Sequence, residues 1–173
     1  MPKILALAGG TSAASRTNRL ARHVLDRLAA TGAATECLLL GDLDPAELAR
    51  GDVQGPSATR LAAAVAAADG ILVATPIYKA SFAGLVKLAL DVLPQFGLTD
   101  KVVFPLATAG GLAHVLALDY ALRPVLQSMG ARHIVQSIVV TDADWQEEGF
   151  APRTAALLDG ALAQFSASLA IPA

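Results

Sequence analysis

Apolar runs alternate with helical patterns along the chain. Five short runs rich in Ala, Leu, Val and Ile predict strands at 3–8, 35–40, 70–75, 101–107 and 133–140. Apolar residues that recur every three or four positions predict helices at 17–30, 57–68, 81–93, 112–129 and 152–169. Several of the strand runs are continuously apolar, which is typical of strands covered on both faces. Five βα units with right-handed crossovers predict an α/β fold, a doubly wound, five-stranded parallel sheet with helices on both faces.

Residues at the predicted boundaries agree with this pattern. Gly32 and Gly130 follow predicted helices, where a left-handed residue often ends a helix. Pro94 comes just after the third helix, and Pro152 suits the first turn of the last one. The polar segment 44–56 is expected to be a connection. Since the sequence contains no internal repeat or linker pattern, residues 1–173 are expected to form a single domain.

Three of the predicted strands run into turns rich in Gly, Ser and Thr. We call these turns the first loop (9–18), the second loop (76–81) and the third loop (108–114). In a parallel sheet such turns gather along the edge formed by the carboxyl ends of the strands, where ligands bind. The pattern therefore predicts one composite pocket built from three separate parts of the chain.

Composition narrows the class of protein. Of 173 residues, 54% are apolar and only 16% are charged, so some of the excess is expected either in tightly packed helices or at subunit interfaces. The net charge of −2 and the lack of a basic tract argue against a nucleic-acid partner. No apolar stretch approaches the roughly 20 residues that span a bilayer, and no secretory signal is evident. We expect a cytoplasmic protein that does not enter a membrane.

The single cysteine offers no metal or disulfide chemistry. Cys37 has no partner in the sequence for an internal disulfide, and no Cys/His cluster has the spacing of a zinc site. The simplest interpretation of Cys37 is a small buried hydrophobe.

The first loop carries polar groups that suit a phosphate. It matches neither GxGxxG nor the GK[ST] ending of a P-loop. Its side chains supply hydroxyls, an amide and one cation, on Thr11, Ser12, Ser15, Arg16, Thr17 and Asn18. A helix that begins there adds free N–H groups and the positive end of its dipole, which favours a terminal phosphate monoester. An ordinary helix N-cap at Ser15 or Thr17 is the alternative.

The second loop offers an apolar surface and backbone donors. Ile77 and Tyr78 follow Pro76, and amides near 79–81 are placed to bond the polar edge of a flat heterocycle. Alternatively, Tyr78 and Phe82 simply cover the edge of the core. In the helix that follows, 87 and 91 are a lysine and an aspartate four residues apart, suited to a weak surface pair or to an intersubunit pair.

The third loop contains paired glycines. Gly110 and Gly111 allow the backbone to approach a ligand without a Cβ clash. His114 suits a ligand contact, a subunit contact or a hydrogen-bonded structural role. Because no nucleophile, histidine and acid occur at catalytic spacing, a bound cofactor is expected to carry the chemistry.

Longer segments of the chain point to a known family. They are 72–81, 84–87, 91–94, 105–114 and 118–124. With these segments the chain resembles the NADPH-dependent FMN reductase family over nearly its whole length, and within it the alkanesulfonate-type reductases of two-component monooxygenase systems. The resemblance implies a flavodoxin-like sheet of order 2-1-3-4-5, with FMN and NADPH as ligands. It also implies hydride transfer to flavin N5, a monooxygenase that receives reduced FMN, and a homodimer or homotetramer.

The resemblance assigns cofactor-binding roles but no catalytic side chain. The residues implied are Ser12, Ser15, Arg16, Thr17, Asn18, Pro76, Ile77, Tyr78, Lys79, Ser81, Thr108, Gly110, Gly111 and His114. The family's first loop usually reads G-S-x-R, whereas here Gly10 replaces the Ser and Ser12 replaces the Arg. Phosphate binding is therefore expected to depend more on Arg16 and on backbone amides.

Tyr120 resembles the tyrosine that, in this subgroup, lies in a π-helical segment at a tetramer interface and modulates flavin release. Pro124 gives an independent reason for local distortion of the same helix. A core or interface aromatic without that role is the alternative for Tyr120.

Two other functions stay open. One is a quinone, azo-dye or metal-ion reductase that retains FMN as a prosthetic group. The other is a flavodoxin-type electron carrier without pyridine-nucleotide activity. Carriers of that kind are strongly acidic for docking, and a net charge of −2 argues against one.

Overall fold

A mixed sheet of seven strands forms the centre of the fold in the computed structural model, which describes residues 1–12 and 14–169. The strands are β1 (Lys3–Ala8), β2 (Ala34–Leu39), β3 (Gly70–Tyr78), β4 (Ser81–Phe82), β5 (Val102–Ala109), β6 (His133–Ile134) and β7 (Ile138–Thr141). The helices are α1 (Arg16–Ala30), α2 (Pro45–Arg50), α3 (Pro56–Ala67), α4 (Gly84–Asp91), α5 (Arg123–Ser128) and α6 (Pro152–Leu169).

The sheet has the predicted parallel order. Its strands run β2-β1-β3-β5-β6, with β7 continuing beside β5 and all of these pairs parallel. The order 2-1-3-4-5 is therefore confirmed. The count of seven strands exceeds the five predicted because β4 forms a short antiparallel hairpin with β3, and because the predicted fifth strand is divided into β6 and β7.

Pro105 explains the division of the predicted fifth strand. Val103 pairs with Ile134 and Leu106 pairs with Ile138, so the partner strand contains one extra residue between these two pairs. The Val103 carbonyl accepts a hydrogen bond from the Val135 N–H at 3.0 Å. Since backbone groups alternate in direction along a strand, Pro105 faces the same side, where it has no N–H to donate. The ladder is interrupted there and resumes in β7.

Helices cover both faces of the sheet, and alternate strand residues build two cores. Leu5 and Leu7 of β1 pack with residues of α3, α4 and α5, whereas Ile4 and Ala6 pack with residues of α1 and α6. This alternation follows from the two-residue period of a strand. The centroid of the Phe104 ring lies 5.8 Å from that of the Phe165 ring in α6. Both faces are buried, as the continuous apolar runs predict.

Three further predicted segments differ from the structure. The connection 44–56 contains α2, since Asp44 caps it by accepting a hydrogen bond from the Ala46 N–H at 2.8 Å. The predicted helix 81–93 begins only at Gly84, because Ser81–Phe82 is strand β4. The predicted helix 112–129 is a 3₁₀ turn (Leu112–His114), a π-helix (Leu118–Leu122) and α5.

Other local predictions fare differently. Gly32 and Gly130 have φ angles of 94° and 90°, which confirms left-handed residues after α1 and α5. Cys37, on the edge strand β2, is half-buried and packs against the core, so it is less buried than predicted. The burial that it does have raises the pKa of its thiol. Among the described helices, none has the length and apolar character needed to cross a membrane.

Candidate functional site

The three loops meet at one cleft on the carboxyl edge of the sheet. Its volume is about 300 Å³. Its walls are formed by Thr11, Ser12, Ala14, Ser15, Arg16, Thr17, Pro76, Ile77, Tyr78, Thr108, Ala109 and Gly110. Residues far apart in the sequence therefore share one cavity, at the edge where α/β sheets bind ligands.

The Asn18 side chain holds the backbone of the first loop. It is buried, and its side-chain oxygen accepts a hydrogen bond from the Gly10 N–H at 3.0 Å. Its amide nitrogen donates to the carbonyls of Gly10 and Ser12, at 3.3 and 3.0 Å. A Cβ on Gly10 would collide with Ser15 and with Asn18 itself. Glycine at position 10, the departure from the family pattern, is thus required by this form of the loop.

The start of α1 faces the cleft. Ser15 is the residue before the helix, but its side chain makes no capping hydrogen bond to the described backbone. The Thr17 hydroxyl lies 2.6 Å from the Thr108 hydroxyl, and both residues are buried. Neither side chain therefore acts as the ordinary cap of α1. The backbone N–H groups of the first turn are left for another acceptor.

A tight hairpin forms the second loop. Lys79 and Ala80 have φ angles of 50° and 62°, and they connect β3 to β4. Two left-handed residues suit a two-residue hairpin turn, but neither is glycine, so the turn is strained. At the base of the hairpin, the buried Thr75 hydroxyl accepts a hydrogen bond from the Ala83 N–H at 2.9 Å. Tyr78 is 58% exposed beside the cleft, whereas Phe82 packs against the core.

The third loop leaves open space above the end of β5. A Cβ added to Gly110 or Gly111 would meet no described atom within 4 Å, so the described packing does not require glycine at these positions. His114, in the 3₁₀ turn that ends this loop, is exposed and does not line the cleft.

Asp142 brings a negative charge to the first loop. Its carboxylate forms an ion pair with the guanidinium of Arg16. Asp142 begins the turn after β7, and that turn is held by Asp144, which accepts hydrogen bonds from the Thr141 N–H and hydroxyl, each at 2.6 Å. Burial tends to raise the pKa of the Asp144 carboxyl, but hydrogen bonds from Thr141 and Thr154 outweigh this and lower it.

The π-helix is tied to the break in the sheet. Arg123 donates to Asp119 Oδ1 at 3.1 Å, and to the carbonyls of Ile134 and Val135 at 3.1 and 3.0 Å. The Ser137 hydroxyl also donates to Asp119, at 2.9 Å. One guanidinium thus satisfies the strand carbonyls beside Pro105 and joins them to the π-helix. Tyr120, in the middle of the π-helix, is 79% exposed.

The cleft contains only part of the predicted set of binding residues. Of that set, Asn18, Lys79, Ser81, Gly111 and His114 are not among its lining residues. Three residues near the cleft were not predicted from the sequence, namely Asp142, Ala14 and Ala109. Asp142 could be found only from the strand register, which pairs Thr141 with Ala109 at the end of β5. Lys87 and Asp91 form the predicted surface pair, with Lys87 Nζ 2.6 Å from Asp91 Oδ1.

A profile of the NADPH-dependent FMN reductase family matches residues 2–146, a range that includes all three loops and the π-helix. The chain belongs to this family. It is therefore an oxidoreductase, and the family's ligands are FMN and NADPH.

Individual relatives agree with the family. FMN reductase (NADPH) of Escherichia coli (strain K12) is 35% identical over 167 residues, which cover 94% of this chain and 87% of the relative. The NADH-dependent FMN reductase SfnF of Pseudomonas fluorescens (strain Pf0-1) is 33% identical, over 84% of this chain and 79% of the relative. An apo crystal structure of an NADH:FMN oxidoreductase (EMOB) superposes with a TM-score of 0.93 at 43% identity, over 99% of this chain and 92% of that one.

The residues of the cleft fit FMN. The first turn of α1 supplies N–H donors, Arg16 supplies positive charge, and Ser12 and Ser15 supply hydroxyls, which together suit a phosphate. The open space beside Gly110 admits a flat ring close to the backbone. The cleft volume is at the low end of the range for ligand pockets, about 300–1,000 Å³, as expected for a ligand held partly at the surface.

A larger cleft lies at the opposite edge of the sheet. Its volume is about 610 Å³, and Asp69, Lys101 and His133 are among its lining residues. These residues stand at the amino ends of the strands, where α/β sheets do not usually bind ligands. The cleft shared by the three loops is therefore the candidate site of this family member.

Proposed function

We propose that this chain transfers hydride from NADPH to FMN at the three-loop cleft and supplies reduced FMN to a two-component monooxygenase. The observation that carries the proposal is the meeting of the three loops at one cleft within the segment matched by the family profile. The name of SfnF, an FMN reductase, is consistent with flavin supply. The lone half-buried cysteine is compatible with a cytoplasmic setting.

In this proposal the first loop holds the flavin phosphate. Arg16 supplies the positive charge that attracts the phosphate, and the N–H groups at the start of α1 supply aligned hydrogen-bond donors. Asn18 acts indirectly, since its side chain is occupied by the backbone of the loop. Weak retention of FMN follows from a site with a single arginine, which is itself paired with a carboxylate.

The second and third loops hold the ring. Pro76, Ile77 and the exposed Tyr78 provide an apolar wall, and Gly110 provides a close backbone approach. The contact between Thr17 and Thr108 keeps the first and third loops at a fixed separation. The chemistry supplied when FMN is bound is acceptance of a hydride from a reduced nicotinamide. The protein therefore contributes alignment, and no side-chain acid or base is assigned.

The segment 112–120, which begins within the third loop, supports self-association. Its exposed apolar side chains are Leu112, Val115, Leu116 and Tyr120. Four exposed apolar side chains between positions 112 and 120, on a protein with 54% apolar residues, favour an interface between copies of the chain. We propose a homodimer or homotetramer in which Tyr120 lies at the interface and modulates flavin release.

The test compares electron acceptors. Purified protein is assayed for NADPH and NADH oxidation with free FMN or with a quinone, before and after removal of bound flavin. The proposal predicts turnover that depends on free FMN. Turnover with quinone by a stably yellow protein, with none on added FMN, would instead establish the FMN-retaining reductase. Failure to oxidise either nucleotide would favour the electron carrier.

A further inference from the structure

Arg16 is the first loop's only cation, and it is already engaged. The sequence has no acidic residue before Asp26, so nothing in the loop itself competes for Arg16. The fold brings the Asp142 carboxylate to it from beyond β7. Both side chains are 48% exposed, which leaves the pair accessible to an incoming ligand.

Asp142 is held in position from two sides. The preceding residue, Thr141, is buried and pairs with Ala109 at the end of β5. Two residues on, Asp144 accepts a hydrogen bond from Thr154 of α6 at 2.7 Å, in addition to its bonds from Thr141. The turn is thus fixed to the sheet and to a helix, so the carboxylate is presented to Arg16 by the fold.

We propose that Asp142 sets how weakly the flavin is retained, by competing with the flavin phosphate for Arg16. The inference rests on the proposed function, since it assumes that FMN binds with its phosphate at the first loop. A phosphate monoester carries about two negative charges near neutral pH. It must therefore share Arg16 with a carboxylate and lie near that like charge, and both effects favour release. Asp142 is in this view a specificity-determining residue for FMN as a substrate that leaves.

The direct test is the FMN dissociation constant of flavin-free D142N, measured by flavin fluorescence. We expect FMN to bind about two- to fivefold more tightly than to the wild type, the range of a half-exposed ion pair. The difference should shrink at high salt. Riboflavin, which lacks the phosphate, should bind both proteins equally. A second variant, Asp142→Ser, removes the same charge with a smaller side chain and serves if D142N does not fold.

Asp159→Asn is the matched control. Asp159 pairs with Arg27, near the other end of the same helix α1. Its replacement changes the net charge equally, from −2 to −1, but removes no charge from the first loop. FMN affinity should stay at the wild-type value. Equal tightening in both variants would reduce the effect to net charge and would overturn the proposal.

The Arg16→Ala background separates competition from simple repulsion. If Asp142 acts by occupying Arg16, D142N should tighten FMN much less in R16A than in the wild type. An undiminished effect in R16A would overturn the competition. The proposal would also be overturned if the wild type binds and reduces FMN but D142N binds FMN no more tightly than the wild type does. If the wild type neither binds nor reduces FMN, the proposed function fails first.

Discussion

Thr17 and Thr108 bring the first and third loops into direct contact, because their hydroxyl oxygens lie 2.6 Å apart in a buried position. One residue belongs to the first turn of α1 and the other to the end of β5. The pair therefore joins the first and third loops within the wall of the cleft.

Replacing either threonine with valine should destabilise the protein. The partner hydroxyl would be left buried without its hydrogen bond, which costs about 1–3 kcal/mol. Urea unfolding of Thr17→Val, Thr108→Val and the double variant measures this. The double variant should lose less than the sum of the two single losses. Strict additivity would show that the two hydroxyls are not coupled.

Glycines of the first and third loops should respond differently to alanine. Gly110→Ala should leave the unfolding midpoint unchanged, because the new Cβ meets no described atom, but it should weaken FMN binding. Gly10→Ala should lower both the unfolding midpoint and the affinity for FMN, since the new Cβ would collide with Ser15 and Asn18. Even Gly10→Ser, which restores the usual family residue, should weaken FMN binding. Thermal unfolding and FMN titration decide this, and wild-type affinity in Gly110→Ala would remove the ligand role of the third loop.

Arg123 should matter more than an ordinary surface arginine. Arg123→Met removes the donor to two strand carbonyls and to Asp119, for a loss of about 1.5–3 kcal/mol. Lys87→Met is the control, because it removes an exposed helical pair whose contribution is about 0.3–0.5 kcal/mol. Similar losses in the two variants, measured by urea unfolding, would contradict the proposed link between the π-helix and the divided strand.

Tyr120 should act in association. Because it is 79% exposed, Tyr120→Ala should not lower the stability of a single subunit, but it should shift the oligomer toward smaller species at micromolar concentration. Phe96→Ser is the control, because Phe96 is also exposed (67%) but lies outside the segment 112–120, and it should leave the mass of the oligomer unchanged. Light scattering measures both. An unaltered mass for Tyr120→Ala places the interface on another surface.

The sequence predicted regular elements well where local periodicity is strong. Helix α6 and strand β1 have their predicted bounds, because α6 has a long helical repeat of apolar residues and β1 is a continuously apolar run. The hairpin was missed because Lys79 and Ala80 lack the Asn-Gly or Gly signal of such a turn. The division at Pro105 was readable in principle, since proline inside a central strand cannot donate to its ladder.

Within the site, side-chain direction limited the prediction. The polar chemistry of the first loop was evident from the sequence, but only the fold shows that Asn18 turns inward to the backbone while Ser15 lines the cleft. The pairing of Arg16 with Asp142 depends on strand register, and no local pattern around either residue indicates it. The π-helix was anticipated by resemblance, but its anchoring by Arg123 was not.

The most direct test of the account measures NADPH oxidation against added FMN after gel filtration of the purified protein. If FMN binds at the three-loop cleft as a substrate that leaves, gel filtration should remove the flavin and abolish turnover. Added FMN should then restore turnover along a saturable curve. Flavin that stays with the protein, together with a rate that does not depend on added FMN, would contradict the central claim.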